Sequence, residues 1–277
     1  MLVADLSRTD RVVAGVIGLY FLTLLFASSP MAHATLPLAP EHWLPLQREG
    51  EVVVDSEEAS VLNEIDIVGD SDNPAGQWAL DTNNLYVRMR LAASPEADTP
   101  PGPLIGSESE YGWGILINTN DTLNEFEHLV YLDQQGRRLK LEGAATGTDW
   151  TAPPGPPIEE VDFPMTSSMA ATSTADSSLG GTENSYIDIA IPRASIDLVG
   201  VDTTVQIALV TDLIRVTPFF DHDLAATGIA PTLADALSDP IGEDADEDSL
   251  SIDAERTAGT SPLTSDTDGD GYSDGDE

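Results

Sequence analysis

The chain of 277 residues carries 49 Asp and Glu against 11 Lys and Arg, a formal net charge of −38, and 41% of it is hydrophobic with no cysteine. Binding a polyanion needs a basic footprint, so nucleic acid is excluded as a partner, and the lack of cysteine excludes disulfides, thiolate metal sites, cysteine nucleophiles and an acylated lipoprotein anchor. The length supports one good core, and the charge resists compaction unless something neutralises it, divalent cations being the obvious source.

Arg8 and Arg11 precede an apolar run over 12–27, followed by Ser28-Ser29-Pro30 and Ala32-His33-Ala34, an A-x-A pattern. This reads as a signal peptide over 1–34 with the mature chain starting near Thr35, which implies export. The rival is an uncleaved anchor, but the run is short of the roughly 20 residues a span requires. No later stretch is apolar enough to span a bilayer. Residues 35–46 are proline-interrupted and predict an extended lead-in segment, with Trp43 as an apolar contact.

From 47 to 228 short apolar runs recur between turn signals, the pattern of an antiparallel β-sandwich. Leu85, Val87, Met89 and Leu91 alternate with Tyr86, Arg88 and Arg90, which predicts one buried and one wet face. Tyr111, Trp113, Ile115 and Ile117 line one side of the next strand. Ile187, Ile189 and Ile191 precede Pro192, which ends pairing, and Val205, Ile207 and Leu209 follow. Two breaks interrupt these runs, 94–109 and 151–185, and the second reads as a long surface loop.

Several side chains inside this region are candidates for chemistry. Arg88 and Arg90 with Arg137, Arg138 and Lys140 would form a cationic patch for an anionic partner, either an acidic glycan or the chain's own tail, set against ordinary pairing with Glu125, Glu127 or Asp133. Of the tryptophans, Trp113 is expected in the core, Trp78 goes either way, and Trp150 in its loop is the one expected to be exposed, as a stacking platform or as a plug at a sheet end. The loop 118–125 offers oxygens at alternating places for a cation, against a self-capped hairpin loop, which is favoured. Asp221-His222-Asp223 reads as a polar turn, since His42 and His128 are not at zinc-ligand spacing from it. No catalytic residue is assigned: there is no G-x-S-x-G elbow, and paired carboxylates are uninformative in so acidic a chain.

Residues 229–240 predict a short linker, and 241–277 a cation-binding tail whose single basic residue is Arg256. Within 266–277, Asp266, Asp268, Asp270, Asp274 and Glu277 fall at positions 1, 3, 5, 9 and 12 around Gly271 at position 6, and Tyr272 at 7 would offer its carbonyl. A hard cation takes six to eight oxygens, and a tight loop brings alternate side chains inward, so this is the pattern of a calcium loop. A poorer loop lies 22 residues earlier: Asp244, Asp246, Asp248 and Glu255 keep positions 1, 3, 5 and 12, but Ser249 replaces the glycine and Ile252 an aspartate. A loop repeated at fixed period suggests an array, truncated at residue 277.

The paired loops of 244–277 with their Gly259-Thr260-Ser261-Pro262 connection resemble the short bacterial version of thrombospondin type 3 repeats. That resemblance implies a calcium-dependent, non-catalytic stalk or adhesion module on an exported protein. The strand order of 85–192 with its Ile191-Pro192 end is similar to β-sandwiches of the DOMON and family-nine carbohydrate-binding type, which implies the fold. The expectation is a secreted or cell-surface protein with a sandwich head, its partner an extracellular glycan or an envelope component, on a tail that calcium turns into a rod. The alternative is a secreted polysaccharide hydrolase whose catalytic part is the sandwich or lies beyond residue 277.

Overall fold

The structure, a computed structural model, describes residues 36, 38–56, 61–95, 111–120, 122, 125–133, 138–147, 159–164, 169–175, 179, 183–200, 203–213, 223–225 and 232–277. The expected signal peptide, Trp150, His222 and Arg137 lie outside them. Among the described residues no helix is long and apolar enough to cross a membrane.

The fold is mainly β, as expected. Among the described residues, strands β1 (Leu44–Pro45), β2 (Gln47–Arg48), β3 (Glu51–Val52), β4 (Gly76–Leu80), β5 (Asn84–Leu91), β6 (Tyr111–Asn118), β7 (Phe126–Asp133), β8 (Arg138–Gly147), β9 (Glu159–Pro164), β10 (Ala170–Thr174), β11 (Ser185–Pro192), β12 (Gln206–Leu213) and β13 (Asp223–Leu224) precede one α-helix, α1 (Ile252–Ala258). They form a five-stranded sheet in the order β1-β4-β5-β11-β10, a six-stranded sheet in the order β13-β12-β6-β7-β8-β9, and the β2–β3 hairpin. All the strand pairs are antiparallel.

The alternating residues read from the sequence meet between the two sheets. Leu85, Val87, Met89 and Leu91 of β5 and Ile187, Ile189 and Ile191 of β11 share one core with Trp113, Ile115 and Ile117 of β6 and Ile207 and Leu209 of β12. Burial of such side chains stabilises by about 1.5–3 kcal/mol each before entropy is counted. Trp78 joins this core, and the Trp113 indole N–H donates to the Glu64 carbonyl at 3.0 Å.

Two expectations need correction. The opposite face of β5 is not wet: Tyr86, Arg88 and Arg90 are all buried, because the segment carrying Leu36 and Trp43 covers that face. Arg88 pairs with Asp188 through two bonds of 2.7 and 2.8 Å, and its guanidinium lies 4.2 Å from the Trp43 ring and 4.4 Å from that of Tyr186. Arg90 donates to the Tyr186 hydroxyl. The pair is therefore an internal tie and leaves no cationic docking patch at these two residues. The stretch 151–185, expected as one surface loop, contributes the edge strands β9 and β10, whose backbone groups find partners on β8 and β11 although their composition is polar.

The second sheet is covered on its outer face as well. Residues 229–240, expected as a linker, carry Leu233, Ala236 and Leu237 into a cluster with Leu116, Phe126, Leu129, Tyr131 and Val210. A capping box between Thr232 and Asp235 starts the short turn that places them. The tail that follows is anchored on the sandwich by a backbone bridge between Ile241 and Val205, with bonds of 2.7 and 2.9 Å.

Candidate metal centre

The two acidic loops fold alike. In the second, the Asp266 carboxylate accepts the amides of Gly269, Asp270 and Gly271 at 2.7, 3.2 and 2.9 Å. In the first, Asp244 accepts those of Asp248 and Ser249 at 3.0 and 3.1 Å, the residues equivalent to Asp270 and Gly271. The backbone agrees too: Gly269 and Gly271 have φ of 74° and 99°, and Glu247 and Ser249, 22 residues earlier, have 62° and 79°. The first loop thus makes the same turn without glycine, at a cost of about 1–2 kcal/mol for each left-handed side-chain-bearing residue.

Their surroundings differ. Helix α1 begins at the Ser251 cap, whose hydroxyl accepts the Ala254 amide, and its first residue, Ile252, is buried in the main core. The apolar side chain at position 9, which weakens the calcium pattern in sequence, is what docks this loop. One turn later Glu255 is wholly buried (0% exposed) and Asp248 nearly so (5%). Both oxygens of Glu255, both of Asp246 and Oδ2 of Asp248 are buried without a hydrogen-bond partner, while Asp248 Oδ1 accepts the Leu250 amide at 2.7 Å. Burial of ionised groups without partners costs several kcal/mol each, so native proteins pair them or give them to a metal.

The second loop completes this cluster. Asp248, Glu255 and Asp274 each bring one carboxylate oxygen to within 4.8 Å of the other two, and Asp244, Asp246 and Asp248 do the same. Asp274 is held by the Thr267 amide at 3.1 Å and the Thr267 hydroxyl at 2.6 Å, and its own amide donates to the Ser265 carbonyl at 2.9 Å. The sequence pattern counts Asp274 among the ligands of its own loop; in the structure its carboxylate accepts from Thr267 of that loop and also lies in the group with Asp248 and Glu255 of the first. Asp266, Asp268 and Asp270 form a separate, more open group. Tyr272 is 67% exposed and Glu277 is exposed at the end of that loop.

The electrostatics follow from crowding. The Glu255 carboxyl is pushed up to about 7, first by burial and then by Asp246, Asp248, Asp274 and Asp244. Asp246 is raised by burial and by Asp248, and Glu277 is raised mainly by the neighbouring charges of Asp268 and Asp270. Arg256, the one basic residue of the tail, contacts Asp253 at 3.6 Å and donates to the His42 carbonyl at 3.1 Å, on another side of α1. An all-oxygen donor set of this kind, with no imidazole or thiolate, suits a hard cation such as Ca²⁺. The orphaned oxygens show that the residues present fit such an ion.

The other candidates carry less. Among the described residues of the loop 118–125, Asn118 Oδ1 accepts the Asn120 amide, Asn120 Oδ1 accepts the Thr122 amide, and Glu127 accepts the Thr119 amide. Asp223 accepts the Ile67 amide inside the fold. Trp43, Trp78 and Trp113 are buried, so none of the three offers a stacking surface. No protein-family model, curated protein or solved structure matches the chain.

Proposed function

We propose that this is an exported calcium-binding protein, non-catalytic, in which paired loops of the thrombospondin type 3 kind are built onto a β-sandwich and serve an adhesion or scaffold role outside the cell. The observation that carries the calcium reading is the set of five buried, partnerless oxygens on Asp246, Asp248 and Glu255, met by the carboxylate of Asp274. Asp244, Asp246, Asp248, Glu255 and Asp274 would hold the ion of the first loop. Asp266, Asp268, Asp270, the Tyr272 carbonyl and Glu277 remain the ligands proposed for the second. Calcium would supply positive charge where the fold has gathered only negative, and extracellular modules of this type bind at about 10⁻⁴–10⁻³ M, which suits a medium rich in the ion.

Isothermal calorimetry on the purified chain in chelator-treated buffer tests this. Wild type is expected to bind Ca²⁺, and Glu255→Gln to lose the tighter of two phases. No heat from the wild-type chain up to 10-fold above about 10⁻³ M Ca²⁺ would refute the reading.

A further inference from the structure

We propose that a cation in the first loop acts as a clasp: it holds the strap of residues 239–263 against the sandwich, and its loss releases the strap while both sheets stay folded. This rests on the calcium reading of that loop. The strap reaches the sandwich through a few specific contacts. The Asp239 carboxylate accepts the amides of Glu49 and Gly50 at 2.7 and 2.8 Å, across the turn of the β2–β3 hairpin, and its own amide donates to the Gln47 carbonyl at 2.7 Å. Ile241 bridges to Val205. Glu243 takes a 2.6 Å bond from Arg193, a buried side chain that also donates to the carbonyls of Leu198 and Asp81. Ile252 enters the core, and Ala245 and Leu263 pack against that core.

Seating Ile252 in the core requires the first loop to be folded in, and folding it in brings Asp246, Asp248, Glu255 and Asp274 together, with carboxylate oxygens out of water. Without a counter-charge, seating Ile252 and Ile241 is opposed by the repulsion and lost hydration of those carboxylates. The sheets do not share that conflict. The β5–β11 and β6–β12 ladders are held by their own backbone pairing, with Met89 opposite Ile187 and Ile115 opposite Leu209. Local opening of the strap is therefore the inexpensive response to cation loss. Binding and docking are then linked, so each must strengthen the other by the same factor.

Hydrogen exchange on the full chain, with Ca²⁺ and with chelator, reads both ends of this linkage when paired with Ca²⁺ calorimetry. Chelation is expected to speed exchange at the Glu49, Gly50 and Val205 amides at least about tenfold, with Met89 and Ile187 unchanged. Ile241→Ala, which alters no charge and lies outside the loop, is expected to weaken Ca²⁺ binding about fivefold or more through the same linkage. Calcium heat without any change at Glu49, Gly50 and Val205 would overturn the clasp and leave the calcium reading standing. Loss of protection at Met89 and Ile187 together with the strap would also overturn it, since the ion would then hold the whole fold. Absence of heat would overturn both.

Discussion

Gly275 lies against the backbone of Asp248 so closely that a Cβ at 275 would stand 1.9 Å from the Asp248 carbonyl oxygen. The two acidic loops are thereby fitted to each other at the point where Asp274 enters the first loop's cluster. A methyl group there must push the loops apart. Gly275→Ala is expected to lower Ca²⁺ affinity at the tighter site about tenfold or more, equal to about 1.4 kcal/mol, while the sandwich unfolds at an unchanged urea midpoint in chelator. Unaltered affinity by calorimetry would mean that the approach has no bearing on the site.

Glu255 predicts a pH dependence for the calcium-free protein. Its folded-state carboxyl titrates at about 7, above the ordinary value of 4.5, so the folded state binds the extra proton between those values. Stability from this group is present at pH 5 and is lost as pH rises through 7. In chelator, Tm is expected to be higher at pH 5.5 than at pH 8 by about 5 °C, and Glu255→Gln should shrink that difference and raise Tm at pH 8. Equal pH dependence in the variant would assign the effect to general charge repulsion instead.

Ser249 occupies a backbone conformation, φ 79°, that its equivalent Gly271 adopts freely. Ser249→Gly is expected to stabilise the protein by about 1 kcal/mol in urea unfolding with Ca²⁺ present, without loss of Ca²⁺ affinity. A destabilised variant would show that the Ser249 side chain contributes more than its strain costs.

Arg88 and Asp188 form a buried pair, and burial still raises the Asp188 carboxyl against the pull of its partner. Removing one member strands the other charge, so Arg88→Ala is expected to cost about 3–5 kcal/mol, whereas replacing both by apolar residues should cost much less. The double-mutant cycle by urea unfolding measures this coupling, and a single-variant cost under about 1 kcal/mol would contradict an internal tie.

Much of the sandwich was legible in sequence because period-two alternation is a direct record of a two-sided strand. Leu85 to Leu91, Ile187 to Ile191 and Trp113 to Ile117 each land their apolar members in the shared core. The same rule misled at Arg88 and Arg90: it tells which residues face away from one core, and only the tertiary structure decides whether a lead-in segment bearing Trp43 covers them. Polar edge strands β9 and β10 escaped for a related reason, since backbone pairing with a neighbour leaves no trace in composition.

The chain by itself determined the acid spacing of both loops, and with it an all-oxygen set of candidate donors, because residue identity and loop register are local properties. Which loop is buried, and that Asp274 turns toward Asp248 and Glu255, was decided by packing. Ile252 is a poor residue for a ligand position and a good one for a core. That second property becomes visible only when the sandwich is there to receive it, and it draws the weaker-looking loop out of water, where its carboxylates lack partners.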